Sequence, residues 1–121
     1  MDAEKFTKKS LEVIESCEKL AYEYNNQELT QAHLMYALVT VEDSLIAKLL
    51  TNMGINMDAF TGECEKLVAN RPKVSGGQLF TSPEFSKALI QAEKEALKVR
   101  WEVLGEPIDK EAVTELENRL L

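Results

Sequence analysis

Apolar residues return every three or four positions along almost the whole chain, and at three places a hydroxyl residue stands just ahead of such a run. That spacing is the period of one helix face; strands would require alternation. Thr7 precedes Leu11, Ile14, Cys17, Leu20, Ala21 and Tyr24; Thr30 precedes Leu34, Met35, Ala37, Leu38 and Val41. Ser82 precedes Phe85, Ala88, Leu89, Ala92, Ala96 and Val99. A hydroxyl oxygen in that place accepts from a backbone N–H that the first helical turn leaves unpaired. Pro83 strengthens the third start, because its fixed φ suits the first helical position and no N–H is needed there. Phe6 with Leu11, and Leu29 with Leu34, have the spacing of hydrophobic staples.

The breaks between these runs are equally readable. Asn25-Asn26 ends the first helix, since short amides bond their own backbone and favour turns. After Glu42-Asp43-Ser44 a third helix carries Leu45, Ile46, Leu49, Leu50 and Met53, and Gly54 stands where helices end left-handed. A fourth, from Met57 or Asp58 to Asn70, carries Phe60, Cys64, Leu67 and Val68, with Gly62 inside it and Pro72 stopping it. The run RPKVSGGQLFT at 71–81 reads as a flexible connector. The fifth helix runs to Arg100 or Leu104, Gly105 and Pro107 break it, and Asp109 caps a last helix through Val113, Leu116, Leu120 and Leu121.

Shifted by 75 positions, Thr7 falls on Ser82, Ile14 on Leu89, and Cys17-Glu18-Lys19-x-Ala21 on Ala92-Glu93-Lys94-x-Ala96. The expected fold is therefore all-α, a helical bundle of two pseudo-repeated units closing their apolar faces together. The expected organisation is one domain over 1–121, with a first repeat at 1–72, a connector at 73–81 and a partial second repeat at 82–121. A 45% hydrophobic content supplies a core, and 3 Pro and 5 Gly leave the helices largely uninterrupted.

Charge and chemistry exclude more than they suggest. With 14 basic and 21 acidic residues the net charge is −7, which disfavours nucleic acid. The basic cluster Lys5, Lys8 and Lys9 is diluted by Asp2, Glu4 and Glu12. No apolar run has the roughly 18–20 residues that cross a bilayer, and MDAEKFTKK lacks the apolar stretch of a signal peptide, so a cytoplasmic protein is expected. Gly76-Gly77 is followed by Gln78-Leu79 rather than by Lys and Ser/Thr, so no phosphate loop is present, and no GxGxxG occurs. Cys17 and Cys64, on apolar helix faces, are expected as buried free thiols. His33, the one histidine, lacks metal-ligand spacing and is expected to bond near Thr30; a Cys–His nucleophile pair is the one enzymatic alternative. Glu63/Glu65 and Glu115/Glu117 are expected on solvated faces. Trp101 is expected to cover a bundle edge rather than anchor a partner, and Met35, Met53 and Met57 to fill core gaps rather than soften a promiscuous binding surface.

In one order the chain carries Phe6-Thr7-x-Lys9-Ser10-Leu11-Glu12, Ala21-x-Glu23-Tyr24-x-x-Gln27-Glu28 and His33-Leu34-Met35-x-Ala37-Leu38. It continues with Glu42-Asp43-Ser44-Leu45-Ile46-Ala47-x-Leu49-Leu50, Gly54-Ile55, Arg71-Pro72-Lys73-Val74-Ser75-Gly76-Gly77, Ser82-Pro83 and Ala92-Glu93-x-Glu95-Ala96. This resembles the N-terminal domain of the Clp unfoldases, of the ClpB disaggregase type. Beyond Leu97 the sequence departs: Val99 to Leu104 replace a Gly-Asp-Glu turn, and Glu111-Ala112-Val113 lacks the family's histidine. The resemblance implies a non-catalytic module that engages unfolded or aggregated protein segments, monomeric alone and attached to a hexameric AAA+ motor. It implies no cofactor here, ATP and Mg belonging to the parent's motor modules. By resemblance the peptide-binding residues are Thr7, Gln91, Glu95, Glu111 and Ala112, with Gln91 and Glu95 polar where the family can have leucine. The alternative is a stand-alone or adaptor-docking Clp N-domain that regulates a ClpC/ClpA-type unfoldase-protease.

Overall fold

The computed structural model describes residues 7–74 and 76–104, with side chains described as far as Lys98. Phe6, the Trp101 side chain and the expected last helix from Asp109, including Glu111 and Ala112, lie outside these. The elements run α1 (Lys8–Glu23), β1 (Glu28–Leu29), α2 (Gln31–Thr40), α3 (Leu45–Asn52), α4 (Met57–Ala69), β2 (Phe80–Thr81) and α5 (Pro83–Leu104). The mostly helical fold expected from the apolar period is the one observed.

Helix α1 starts as its capping residue dictates: Thr7 Oγ1 accepts from the Ser10 N–H at 3.1 Å. It ends where Asn25 turns left-handed at φ 55, letting the Asn26 N–H reach Ala21 O at 2.8 Å. Asparagine tolerates that region because its short amide bonds locally. Between those ends α1 buries Val13, Ile14, Cys17 and Ala21. Helix α2 packs against both α1 and α4, adding Ala37 and Val39, while α4 contributes Cys64 and Val68. Each fully buried valine in such a core stabilises by about 1.5–3 kcal/mol over the exposed state.

The connector departs from expectation. Rather than hanging free, it returns to the α1–α2 turn: the Val74 N–H donates to Asn25 O at 2.8 Å and the Phe80 N–H to Gln27 O at 3.0 Å. The Ser82 N–H then donates to Leu29 O at 2.8 Å, so β1 and β2 form a short parallel pair, Glu28 opposite Phe80 and Leu29 opposite Thr81. Two residues per strand are below what periodicity can register, since alternation needs at least four. The long-range partner, not the local sequence, makes this pair.

The described chain divides between Ser82 and Pro83 into two compact units. Along α5 burial falls on Phe85 and Glu93, with Leu89 and Leu97 half-buried between and after them. Ala92 and Ala96, expected on the apolar face, are exposed instead. Their repeat equivalents Cys17 and Ala21 are fully buried. The duplicated pattern therefore reproduces the helix and its start, but not the burial, because burial depends on what packs across the face and not on the face alone.

Candidate functional site

His33 sits in the first turn of α2 and is fully buried, as are nearly all of Thr30 and Asn26. Its Nδ1 accepts from the Thr30 N–H at 3.0 Å and lies 2.9 Å from the Thr30 hydroxyl. Nε2 lies 2.8 Å from Asn26 Oδ1, which only accepts, so this pattern assigns the proton to Nε2. The Asn26 amide in turn donates to Pro72 O at 3.3 Å. Burial first, and the Arg71 cation second, lower the His33 pKa from 6.5 to about 4. Both ring nitrogens are thus engaged in joining α2, the preceding turn and the connector. The expectation of a histidine bonded near Thr30 holds, with Asn26 as an additional partner.

The thiols carry no nucleophile. Cys17 and Cys64 are free and buried. Burial, the largest cause, pushes the Cys17 thiol up to about 12 and raises that of Cys64. A buried neutral thiol without an acceptor base is inert. Among the described residues, no three of His, Cys, Asp and Glu stand together as a metal-binding group.

The feature that periodicity missed is on α3. The apolar spacing runs a third helix through Leu45, Ile46, Leu49, Leu50 and Met53 without fixing which of them it buries, and no α3 residue is fully buried. Ile46, Ala47 and Leu50 are half-covered, and α3 touches both α2 and α4. Leu45, Leu49 and Met53 stand out at 67%, 49% and 73% exposure. Met53, expected as core filling, is thus the most exposed of them. Spaced four apart, these side chains form one row of roughly 12 Å, from 1.5 Å of rise per residue. Both ends of the helix are pinned. The Ser44 hydroxyl accepts from the Ala47 N–H at 3.0 Å, and Asp43 just before it is left-handed at φ 55. At the other end Gly54 is left-handed at φ 85, and the Ile55 N–H donates to Leu50 O at 3.1 Å. Six apolar residues in an eight-residue helix and its cap are more than one packed face can cover, and that density is the signal that could have revealed the row. Met35, also expected in the core, is exposed on α2.

The residues assigned by resemblance appear in plainer surroundings. Thr7 is exposed, and its hydroxyl both caps α1 and donates to Ser10 Oγ at 3.0 Å. On α5, Gln91 Nε2 donates to Glu95 Oε1 at 2.9 Å and Glu95 pairs with Lys98 at 3.6 Å, so this edge is an exposed polar row. Glu63, also exposed, pairs with Lys66 at 3.1 Å, while Glu65 accepts from the Tyr24 hydroxyl at 3.0 Å.

Similarity to known proteins agrees with this architecture. The chain is 35% identical over 110 residues to the chaperone protein ClpB of Nitratidesulfovibrio vulgaris, covering 87% of this chain and 13% of that protein. It is 30% identical over 105 residues to ClpB of Bacillus cereus, covering 83% and 12%. With ClpB of Clostridium tetani it shares 36% over 98 residues, covering 77% and 11%. The chain therefore spans about an eighth of the length of these relatives. Residues 5–105 match the Clp repeat (R) N-terminal domain, and the chain belongs to that family.

Proposed function

We propose that this chain is the client-contacting N-domain of a ClpB-like disaggregase, a non-catalytic module that engages apolar segments of unfolded or aggregated proteins. The observation that carries the reading, given the family, is the exposed row Leu45, Leu49 and Met53. Covering their exposed surface is worth roughly 4 kcal/mol in all, at 1.5–3 kcal/mol per apolar side chain. That corresponds to a dissociation constant of about 1 mM before ordering costs are counted. Such a contact is useful only when repeated, as it would be on six tethered copies around a ring. ATP and Mg chemistry is assigned to the parent's motor modules, and the place of work to the cytoplasm. Among the described residues no helix is long and apolar enough to cross a membrane.

The test is a titration of the labelled chain with permanently unfolded casein, followed through amide shifts. Shifts along α3 that vanish in a Leu49→Ser/Met53→Ser double variant are expected. A titration in which α3 stays silent while shifts cluster on α5 would reassign the contact to the Gln91–Glu95 edge. That polar edge is also the one observation favouring a folded adaptor as partner, and binding there would weaken with salt.

A further inference from the structure

Away from α3, the connector and the α1–α2 turn flank a half-open cavity of about 260 Å³, lined among others by Asn26, Gln27, Glu28, Arg71, Val74 and Phe80. It lies where the chain from α4 meets residues 25–29 at Val74 and meets them again at Phe80. Gly77 is left-handed at φ 98, and a Cβ there would come within 3.0 Å of Gln27 Nε2, so the loop approaches this wall closely. The lining is of two kinds. Val74 and Phe80 leave 41% and 50% of their surface exposed. Arg71 contributes a guanidinium whose one ionic partner among the described residues is Glu28 at 3.7 Å, beyond hydrogen-bond length. The neighbouring polar groups are committed elsewhere: Asn26 to His33 and Pro72, and Lys73 to Tyr24 O at 3.4 Å and the Tyr24 ring at 5.6 Å.

We propose that this cavity binds the C-terminal residue of another polypeptide, an apolar side chain lying on Val74 and Phe80 and the α-carboxylate on Arg71. Size points to this occupant, because small-molecule sites usually run to about 300–1,000 Å³ and this one holds little more than a single large side chain. Charge points the same way. A chain of net charge −7 repels polyanions, yet one carboxylate on a guanidinium with free donors gains a bidentate charge-assisted contact. Glu28 is the internal competitor for the same guanidinium, so binding is weak and Glu28 sets its strength. The site is separate from the α3 row and does not depend on it.

The probe is an acetylated heptapeptide ending in Leu, as free acid and as C-terminal amide, titrated against the full chain with the Val74 and Phe80 amides and Arg71 Nε followed by NMR. The free acid is expected to bind about tenfold more tightly than the amide, the ratio that one charge-assisted contact supplies. Arg71→Gln should erase that ratio, and Glu28→Gln should tighten the acid several-fold. Neither side chain is buried, so both variants should keep wild-type amide dispersion. Equal binding of acid and amide, no shift at these three probes, or a preference that survives Arg71→Gln would each overturn the proposal. The Leu49→Ser/Met53→Ser chain should bind the acid as the wild type does; loss there would place the peptide on α3 and overturn it too.

Discussion

Lowering the pH should destabilise this domain through His33. Its imidazole is held neutral, with a pKa of about 4 in the folded chain against the usual 6.5. The unfolded chain therefore binds this proton first, and between those two values it carries more protons than the native state. Stability consequently rises with pH across that window and is fully present above about 6.5. Below about 4 the whole contribution is gone, a loss of about 3 kcal/mol at 1.36 kcal/mol per pKa unit. At pH 5 the expected loss is already about 2 kcal/mol, a large share of a small domain's 5–15 kcal/mol. Urea unfolding followed by circular dichroism between pH 7 and 5 measures it, with His33→Gln as the non-titrating reference in which all carboxylates remain. That variant should be less stable at pH 7, because Asn26 and the Thr30 N–H lose their partner at about 1–3 kcal/mol per buried group. Its stability should nevertheless fall less steeply as the pH drops. Since the chain has one histidine, its ring signal titrates without need of assignment. A ring titrating near 6.5, or parallel pH profiles for the two chains, would refute the reasoning.

Three further outcomes are expected. Thr7→Ala removes the acceptor for the Ser10 N–H and should cost about 1 kcal/mol, read as a lower urea midpoint. Cys17 and Cys64 should resist a thiol reagent in the native chain and react at the rate of global unfolding, whereas immediate native reaction would mean they are exposed. Gly54→Ala places a Cβ at φ 85 in open space, so only backbone strain is paid; a loss of about 1 kcal/mol is expected, visible in thermal melts.

Much of the fold was legible in residues that act locally. Thr7, Thr30 and Pro83 mark helix starts because a cap or a missing N–H is decided within one turn. Asn25 and Gly54 mark ends because a left-handed residue needs no distant partner. His33 was placed near Thr30 by the same logic. The bond from its other nitrogen to Asn26 could not be read, since it spans a turn whose shape depends on the connector folding back. The candidate site was less legible: the resemblance pointed to Gln91 and Glu95, which pair with each other, while the exposed apolar row lies on α3.

By itself the sequence determined where helices begin and stop, the class of fold, and membership of the Clp N-domain family. These rest on spacing and on residues whose preferences are satisfied within a few positions. Tertiary structure alone decided which apolar faces are covered. Cys17 and Ala92 hold equivalent places in the repeat, yet one is buried and the other exposed. Leu45, Leu49 and Met53 carry the same helical signal as the core but meet no neighbour among the described residues that hides them. Hydrophobic burial is a property of two surfaces brought together, and a sequence period describes only one of them.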